Sequence, residues 1–241
     1  MKIQLLSDLH CEFNPKEIDK LFDTSVDLII LAGDISNSTH IKEDLTYISN
    51  IGIPIIYITG NHEYYGSSKK ELDKEMTRFC KSVPNLTFLN NQILQINDIV
   101  FIGSTGWCDE SNGLLTQYHY RMLNDFRYIE DSGELTDWGR ANKIFFEEQL
   151  EELSKYKDKK VICISHNGPT TLSPPEFKNH PLNTCFQNKW EDMILKYQPL
   201  YWLFGHTHKY MKYEVDKTIC ICNPVGYPTE KTNYKKTIIE V

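Results

Sequence analysis

The feature that most limits the fold is a short apolar run that ends in an ionisable residue. The run Leu28–Ala32 carries no polar side chain and leads directly into Gly33 and Asp34. A continuous aliphatic run of this length is typical of a strand buried on both faces. Burying an ionised carboxylate at the end of such a strand costs several kcal/mol unless a cation or a hydrogen-bond donor meets it. We therefore expect Asp34 to face such a partner.

The same arrangement occurs along the rest of the chain. Apolar runs at residues 3–7, 55–60, 161–165 and 201–205 are each followed by polar residues, which are Asp8 and His10, Asn61 and His62, His166, and His206 and His208. Helical patterns separate many of these runs, and the alternation favours an α/β fold. Because five strand ends carry Asp, Asn or His, we interpret the fold as a scaffold that brings these ends together.

The composition favours a single domain over residues 1–241. Hydrophobic residues make up 40% of the chain and charged residues 24%, which allows a sizeable core. No apolar run approaches the roughly 18 residues of a membrane span, and the first run stops at Asp8, too early for a secretory signal. We therefore expect a soluble, cytoplasmic protein without a membrane partner. Its seven cysteines are scattered, and we interpret Cys220 and Cys222 as core thiols, not as half of a zinc site.

The formal net charge of −7 bears on the class of partner. Binding to a nucleic-acid backbone normally rests on clustered Lys and Arg. This chain has no large basic tract, so we do not expect nucleic acid as the partner. The charge is compatible with a small anionic substrate that is held by local cations.

Local patterns place several helices between the strands. Residues 41–48 have apolar side chains at i, i+4 and i+7, which predicts one helix. Ser68 and Glu71 form a capping-box pattern that predicts the start of another. A longer helix is predicted from about residue 136 to 155, and Pro15 is predicted to open a short helix.

The region 106–137 shows weak periodicity. It is rich in aromatic and polar side chains, among them Trp107, Tyr118 and His119. A long segment of this kind inside a compact domain is more often functional than idle. We therefore predict that it forms a lid or a substrate-facing loop.

The candidate metal ligands share one position, shortly after a predicted strand: Asp8, His10, Asp34, Asn61, His166, His206 and His208. Seven nitrogen and oxygen donors are too many for a single tetrahedral site, but they suit two metals that share one bridging carboxylate. Mixed imidazole and carboxylate donors favour Mn, Fe, Zn or Ni over Ca or Mg. We expect two divalent transition-metal ions, with manganese favoured.

Five motifs resemble, in the same order, those of the calcineurin-like metallophosphoesterases: Asp8-x-His10, Gly33-Asp34, Gly60-Asn61-His62-Glu63, the isolated His166 and Gly205-His206-Thr207-His208. The resemblance spans nearly the whole chain and is greatest to small, stand-alone bacterial-type phosphohydrolases. It implies a four-layer α-β-β-α sandwich with a dinuclear metal site at the strand ends. It also implies two ligand sets, Asp8, His10, Asp34 and His208 for one metal, and Asn61, His166, His206 and the shared Asp34 for the other.

The resemblance also implies a reaction. A hydroxide bridging the metals would attack phosphorus, and His62 would assist the departing group. Asp34 would act by bridging the metals, and Glu63 would support the ligands. The substrate would be a small phosphoester, with a nucleotide as one option. Both a diester and a monoester are compatible with the motifs, and the diester is favoured because no dedicated Arg is evident to neutralise a dianion.

Candidates for substrate contact are His119, Arg127, Asn167 and Tyr227, with Tyr64 and Tyr65 as further aromatic residues near the motifs. Phosphoprotein phosphatases extend the second motif with an Asp and an Arg, and residues 35–39 contain neither, which argues against phosphoprotein substrates. Two alternatives have different consequences. A relative that has lost catalysis would serve as a protein-binding scaffold, and a nuclease would cleave DNA.

Overall fold

Two β-sheets form the centre of the structure. The computed structural model describes residues 1–13, 18–156, 158–172 and 174–241, and the strands of these residues divide between two sheets. The five-stranded sheet contains β1 (Lys2–Leu6), β2 (Leu28–Ala32), β3 (Ile55–Ile58), β4 (Leu86–Phe88) and β11 (Ile238–Glu240). The six-stranded sheet contains β5 (Gln92–Ile96), β6 (Ile99–Gly103), β7 (Lys160–Ile164), β8 (Tyr201–Phe204), β9 (Met211–Val215) and β10 (Thr218–Cys222).

Most neighbouring strands run parallel. The first sheet has the order β11-β1-β2-β3-β4, and only β11 is antiparallel to its neighbour. The second has the order β5-β6-β7-β8-β10-β9, with antiparallel pairs at its two edges. Leu5 pairs with Ile30 and Ile30 with Ile56, which sets β1, β2 and β3 in register. Because parallel strands end at the same edge, the residues after β1, β2 and β3 lie side by side.

The helices lie outside the sheets or in the connections between strands. Their bounds are α1 (Ile41–Ser49), α2 (Lys69–Ser82), α3 (Gln117–Met122), α4 (Asp125–Tyr128), α5 (Leu135–Leu153), α6 (Asn183–Phe186) and α7 (Glu191–Tyr197). Short 3-10 helices occur at Ile18–Leu21, His62–Tyr64, Ser132–Glu134 and Pro175–Phe177. None of the helices in the described part of the chain is long and apolar enough to cross a bilayer.

Three apolar clusters show the order of the layers. One lies between the sheets and includes Ile30 from β2 and Leu203 from β8. A second lies on the outer face of the five-stranded sheet, where Leu31 packs in one cluster with Leu45 of α1 and with α2. The third lies on the outer face of the six-stranded sheet, beneath α5 and α7. The fold is therefore a four-layer α-β-β-α sandwich, as the family resemblance implies.

The helix patterns are confirmed with small differences in their ends. The hydroxyl of Ser68 accepts a hydrogen bond from the Glu71 backbone N–H at 3.2 Å, so the predicted cap forms at the start of α2. The helix predicted over 136–155 is α5, Leu135–Leu153. The start of a helix at Pro15 lies outside the described residues, which resume at the 3-10 helix Ile18–Leu21. Cys220 and Cys222 are buried free thiols of the core.

The region 106–137 differs from the predicted loop. It contains α3, α4, a 3-10 helix and the start of α5. Trp107 is almost fully buried and packs against Tyr64 and Trp138, so the first part of the region belongs to the core. The prediction of a loop was wrong for this segment, because buried aromatic side chains without a helical period anchor it and short helices form within it. Its section around residues 122–125 reaches the cleft described below.

Candidate metal centre and catalytic cleft

The first group of converging side chains follows β1, β2 and β8. One ligand atom from each of Asp8, His10, Asp34 and His208 lies within 4.8 Å of the others. His208 Nε2 is 3.4 Å from Asp8 Oδ1 and 3.2 Å from His10 Nε2, and His10 Nε2 is 3.9 Å from Asp34 Oδ2. Asp8 and Asp34 are buried, so their carboxylates need a cation or hydrogen-bond donors beside them. The structure thus brings together four of the seven predicted ligands.

The second group shares Asp34 with the first. Asp34, His166 and His206 offer ligand atoms within 4.8 Å of one another. His166 Nε2 is 3.3 Å from Asp34 Oδ2, 3.1 Å from His206 Nδ1 and 3.2 Å from the side-chain oxygen of Asn61. The two groups divide the predicted ligands as the family resemblance implies, and Asp34 lies at their junction.

Hydrogen bonds made by Nδ1 of two histidines fix which ring nitrogen faces the other candidate ligands. His166 Nδ1 donates to the Ala32 carbonyl oxygen at 2.9 Å, and His208 Nδ1 donates to Glu230 Oε2 at 2.6 Å. Each ring therefore presents Nε2 to the other ligands, an arrangement typical of metal-binding histidines. The Nε2 atoms of His10 and His208 lie 3.2 Å apart with carboxylate oxygens around them, which is compatible with a shared cation. The residues present fit a pair of divalent metal ions.

The pKa values of the group show how strongly its carboxylates favour positive charge. Burial alone would lower the pKa of His166, but Asp34 outweighs burial and raises that pKa to about 9. Burial would likewise lower the pKa of His208, whereas bonds to Asp8 and Glu230 raise it to about 10. Burial, reinforced by His166, lowers the pKa of His206 to about 3 and keeps this ring neutral. The same negative field that attracts protons would attract metal cations.

The ligand loops have an unusual backbone. Positive φ angles occur at five of the seven predicted ligands, which are Asp8 (53°), His10 (44°), Asp34 (54°), His206 (69°) and His208 (48°). Such residues cost free energy and persist only where surrounding structure holds them, often at functional sites. A Cβ on Gly60 would lie 2.2 Å from Asp34 Oδ1, so only glycine allows this loop to approach the carboxylate.

His62 lies beside the ligands and is held by a carboxylate that sequence reasoning missed. Its backbone N–H donates to Asp34 Oδ1 at 2.9 Å, and its Nδ1 is 3.2 Å from Glu12 Oε1. Glu12 is almost fully buried and also lies 3.5 Å from His10 Nδ1. Burial would lower the pKa of His62, but Asp34 and Glu12 raise it above its usual range. The only sequence signal for Glu12 is its spacing, two residues beyond His10.

Glu63 connects two of the ligand loops. Its buried carboxylate accepts hydrogen bonds from the backbone N–H groups of Asp34 at 3.0 Å, Ile35 at 2.8 Å and Gly60 at 2.7 Å. Burial, with a smaller effect of Asp34, raises the pKa of Glu63 to about 8. Its place behind the loops fits the predicted supporting role.

Comparison with known proteins gives the family. A model of the calcineurin-like phosphoesterase family matches residues 1–210. The chain belongs to the calcineurin-like phosphoesterases. This family uses pairs of divalent metals, and the structure of this phosphoesterase has clustered Asp and His residues that could hold such ions. The family membership supports a metal-dependent hydrolase of phosphoesters.

The phosphoesterase is similar to proteins from several different organisms. It is 29% identical to the uncharacterized protein L509 of Acanthamoeba polyphaga mimivirus over 264 residues, which cover 96% of this chain and 93% of the relative. The phosphopantetheinyl hydrolase PptH of Mycobacterium tuberculosis has a similar fold, with a TM-score of 0.69, 17% identity and coverage of 94% of this chain and 90% of that one. A dimetal phosphatase of Danio rerio gives a TM-score of 0.54, 13% identity and coverage of 92% and 86%. At 17% and 13% identity, the two solved structures show a shared fold and nothing about the substrate.

A cleft of about 290 Å³ opens over the ligand groups of the phosphoesterase. Tyr227 lines it, and its hydroxyl lies 3.0 Å from His62 Nε2. Tyr65 also lines it and donates to Asp125 Oδ1 at 2.7 Å. The same carboxylate oxygen accepts from Asn61 Nδ2 at 2.9 Å, which turns the amide oxygen of Asn61 toward His166. Sequence reasoning missed this role of Asp125.

The structure does not bring the other predicted substrate contacts to the cleft. His119 is buried and its Nε2 lies 3.0 Å from the Pro181 carbonyl oxygen. Arg127 donates to the Arg121 carbonyl oxygen at 2.7 Å, and Asn167 donates to the Cys185 carbonyl oxygen at 2.7 Å. The hydroxyl of Tyr64 is also buried and is bonded within the core. In this structure these four side chains support the fold around the cleft.

Proposed function

We propose that this phosphoesterase hydrolyses a small phosphodiester over two metal ions. The observation that carries the proposal is the overlap of the two ligand groups at Asp34, with His62 hydrogen-bonded to the same carboxylate. Asp8, His10, Asp34 and His208 would hold one ion, and Asn61, His166, His206 and Asp34 the other. Manganese is the first metal to test, since the donors are imidazole and carboxylate.

His62 is the residue of this chain best placed to protonate the departing group. When bound, two divalent ions supply an activated water and neutralise charge on the phosphate oxygens. Glu12 engages Nδ1 of His62, so Nε2 is the nitrogen that faces the cleft beside Tyr227. As the bond from phosphorus to the ester oxygen breaks, that oxygen would take the proton from Nε2 and leave as an alcohol. Such proton transfer contributes about 10²–10⁴-fold to the rate.

Charge in the cleft supports a diester over a monoester. None of the described residues that line the cleft is Lys or Arg, whereas Asp125 and Glu230 bring carboxylates to it. Two divalent ions, set against two ligand carboxylates and one hydroxide, leave roughly one net positive charge. A diester carries one negative charge and matches this value. A monoester carries two near neutral pH and would need a further cation.

The proposal is tested by metal content together with activity. We expect elemental analysis of the purified protein to find about two transition-metal ions per chain. With manganese, hydrolysis of bis-p-nitrophenyl phosphate should exceed that of p-nitrophenyl phosphate, and a chelator should abolish it. A stable, metal-free native protein without activity would instead support a binding scaffold. Cleavage of single-stranded or duplex DNA that exceeds cleavage of the small diester would support a nuclease.

Glu12 provides a separate prediction. Glu12→Gln keeps the size of the side chain but removes the charge that orients His62. We expect kcat to fall about 10–100-fold, the usual effect of a residue that orients a functional histidine. The loss should be larger for esters with poor leaving groups, because those depend most on His62. The measurement is kcat for two diesters that differ in leaving-group pKa, with metal content determined on the same samples.

The control for Glu12 is Glu152→Gln, which changes an exposed glutamate on α5 that is paired with Lys155. It should leave kcat and metal content as in the wild type. Glu12→Asp should recover part of the lost activity because it restores the carboxylate. If Glu12→Gln lost metal and slowed all leaving groups equally, Glu12 would act through His10 and not through His62.

A further inference from the structure

The cleft has two apolar walls. On one side Met122 ends α3 and Leu123 follows it, and on the other Leu182 precedes α6 and Phe186 ends it. Phe177 adds a further ring to the second wall. Met122 is 51% exposed and Phe177 is 38% exposed, which is a large fraction for apolar side chains beside a buried polar floor. Exposed apolar side chains that converge on one cleft are typical of a ligand site.

The second wall is in direct contact with His206, one of the candidate metal ligands. The ring of Phe186 lies 4.9 Å from the ring of His206, centroid to centroid, at an interplanar angle of 72°. A phosphate held over the predicted ligands would therefore place one of its substituents against this wall. The apolar side chains line one continuous cavity with the candidate ligands Asp34, His206 and His208.

Charge narrows the chemistry of that substituent. The described residues of the cleft include no Lys or Arg, and Asp125 and Glu230 are both acidic. Asp125 is buried among Asn61 and Tyr65, and Glu230 is bonded to His208. A second phosphate or a carboxylate on the substrate would meet these carboxylates with no Lys or Arg side chain among the described lining residues to pair with. An uncharged substituent would not be repelled by these carboxylates.

Size gives a further limit. The volume of about 290 Å³ lies at the lower end of ligand pockets, which usually measure about 300–1,000 Å³. This space holds a phosphate and one group of the size of a single ring. It is too small to enclose a long chain or several linked nucleotides.

We infer that the space between these walls, the apolar slot of Met122, Leu123, Phe177, Leu182 and Phe186, binds one uncharged, ring-sized ester group of the substrate. The inference rests on the proposed diesterase function and adds the class of substituent to it. The substrate is then a phosphodiester with a flat apolar or aromatic group, such as an aryl ester. Diphosphates, triphosphates and esters with carboxylate side groups are excluded.

The experiment compares diesters that share one leaving group. Methyl, phenyl and carboxymethyl p-nitrophenyl phosphates release the same p-nitrophenolate and differ only in the second ester group. With the metal-loaded protein, we expect kcat/KM for the phenyl ester to exceed that of the methyl ester roughly 10–100-fold, as burial of one ring allows. The carboxymethyl ester should react more slowly than the methyl ester.

Variants link the preference to the slot. Phe177→Ala removes a partly exposed ring, so the fold should persist, and the preference for phenyl over methyl should shrink several-fold. Phe186→Ala should reduce it further, with circular dichroism as the check on folding. The matched control is Tyr156→Ala, which removes an exposed ring beyond α5 and outside the cleft. The control should retain the full preference.

A binding measurement separates this inference from the proposed function. Diphenyl phosphate and dimethyl phosphate carry the same charge, and calorimetry with the metal-loaded protein should show tighter binding of the diphenyl compound, weakened by Phe177→Ala. Equal binding of the two compounds would overturn the slot even if both diesters are hydrolysed. Preferential binding of diphenyl phosphate without hydrolysis of any ester would uphold the slot and overturn the diesterase function.

Discussion

Replacement of Asp34 by Asn is expected to remove metal and activity together. Asp34 is the residue that the two ligand groups share, and its Oδ2 lies 3.3 Å from His166 Nε2 and 3.9 Å from His10 Nε2. The amide would take one negative charge from between two dications, and its N–H groups cannot bind a metal. We expect occupancy to fall from two ions toward one or none. Activity should fall by more than the about 10–100-fold typical of residues that only support a ligand.

The measurement pairs elemental analysis with kcat/KM on the same preparation. The matched control is Asp98→Asn, which neutralises an exposed carboxylate that is paired with Lys160 and does not line the cleft. It should retain both metal and activity. Full occupancy of both sites in the Asp34 variant would contradict the bridging role of this carboxylate.

Replacement of His62 by Ala is expected to slow turnover while metal stays bound. The backbone N–H of His62 donates to Asp34 Oδ1, and its ring lies in a separate group with His10 and Glu12, outside the two ligand groups joined by Asp34. Loss of a proton donor of this kind costs about 10²–10⁴-fold in rate. The loss should be smallest for p-nitrophenolate, which leaves without a proton, and largest for alkyl alcohols. We would measure kcat across a series of leaving groups.

His40→Ala serves as the control for His62, because His40 is an exposed histidine bonded to Asn37 outside the cleft. Its kinetics and metal content should match those of the wild type. Equal slowing of the His62 variant across all leaving groups would indicate that His62 stabilises charge on the phosphate and does not donate a proton.

The parts of the fold that could be predicted depend on local patterns. Every residue of β2 is buried, as the unbroken apolar run Leu28–Ala32 predicts, and alternate side chains serve two clusters. The N-cap of α2 could be predicted because the hydrogen bond from the Glu71 backbone N–H to the Ser68 hydroxyl spans only four residues. The ligands could be placed at strand ends for a similar reason. Each one follows a short apolar run in the sequence within a few residues, which marks the end of a buried strand.

The residues that could not be predicted act over long distances in the sequence. Glu12 contacts His62 across 50 residues, and Asp125 contacts Asn61 across 64. Glu230 reaches His208 across 22 residues from a segment that forms no regular element. The period of the surrounding residues does not mark these carboxylates. Their roles follow from the packing of loops, which depends on the whole fold.

The division of the cleft between floor and walls has an evolutionary consequence. The predicted ligands follow strands of the two sheets, whereas the apolar walls come from α3, between β6 and β7, and from the segment around α6, between β7 and β8. Insertions, deletions and substitutions in these two connections can alter the walls while the strand ends stay in place. Descendants of one ancestor can therefore diverge in which compounds they accept and still inherit the same chemistry.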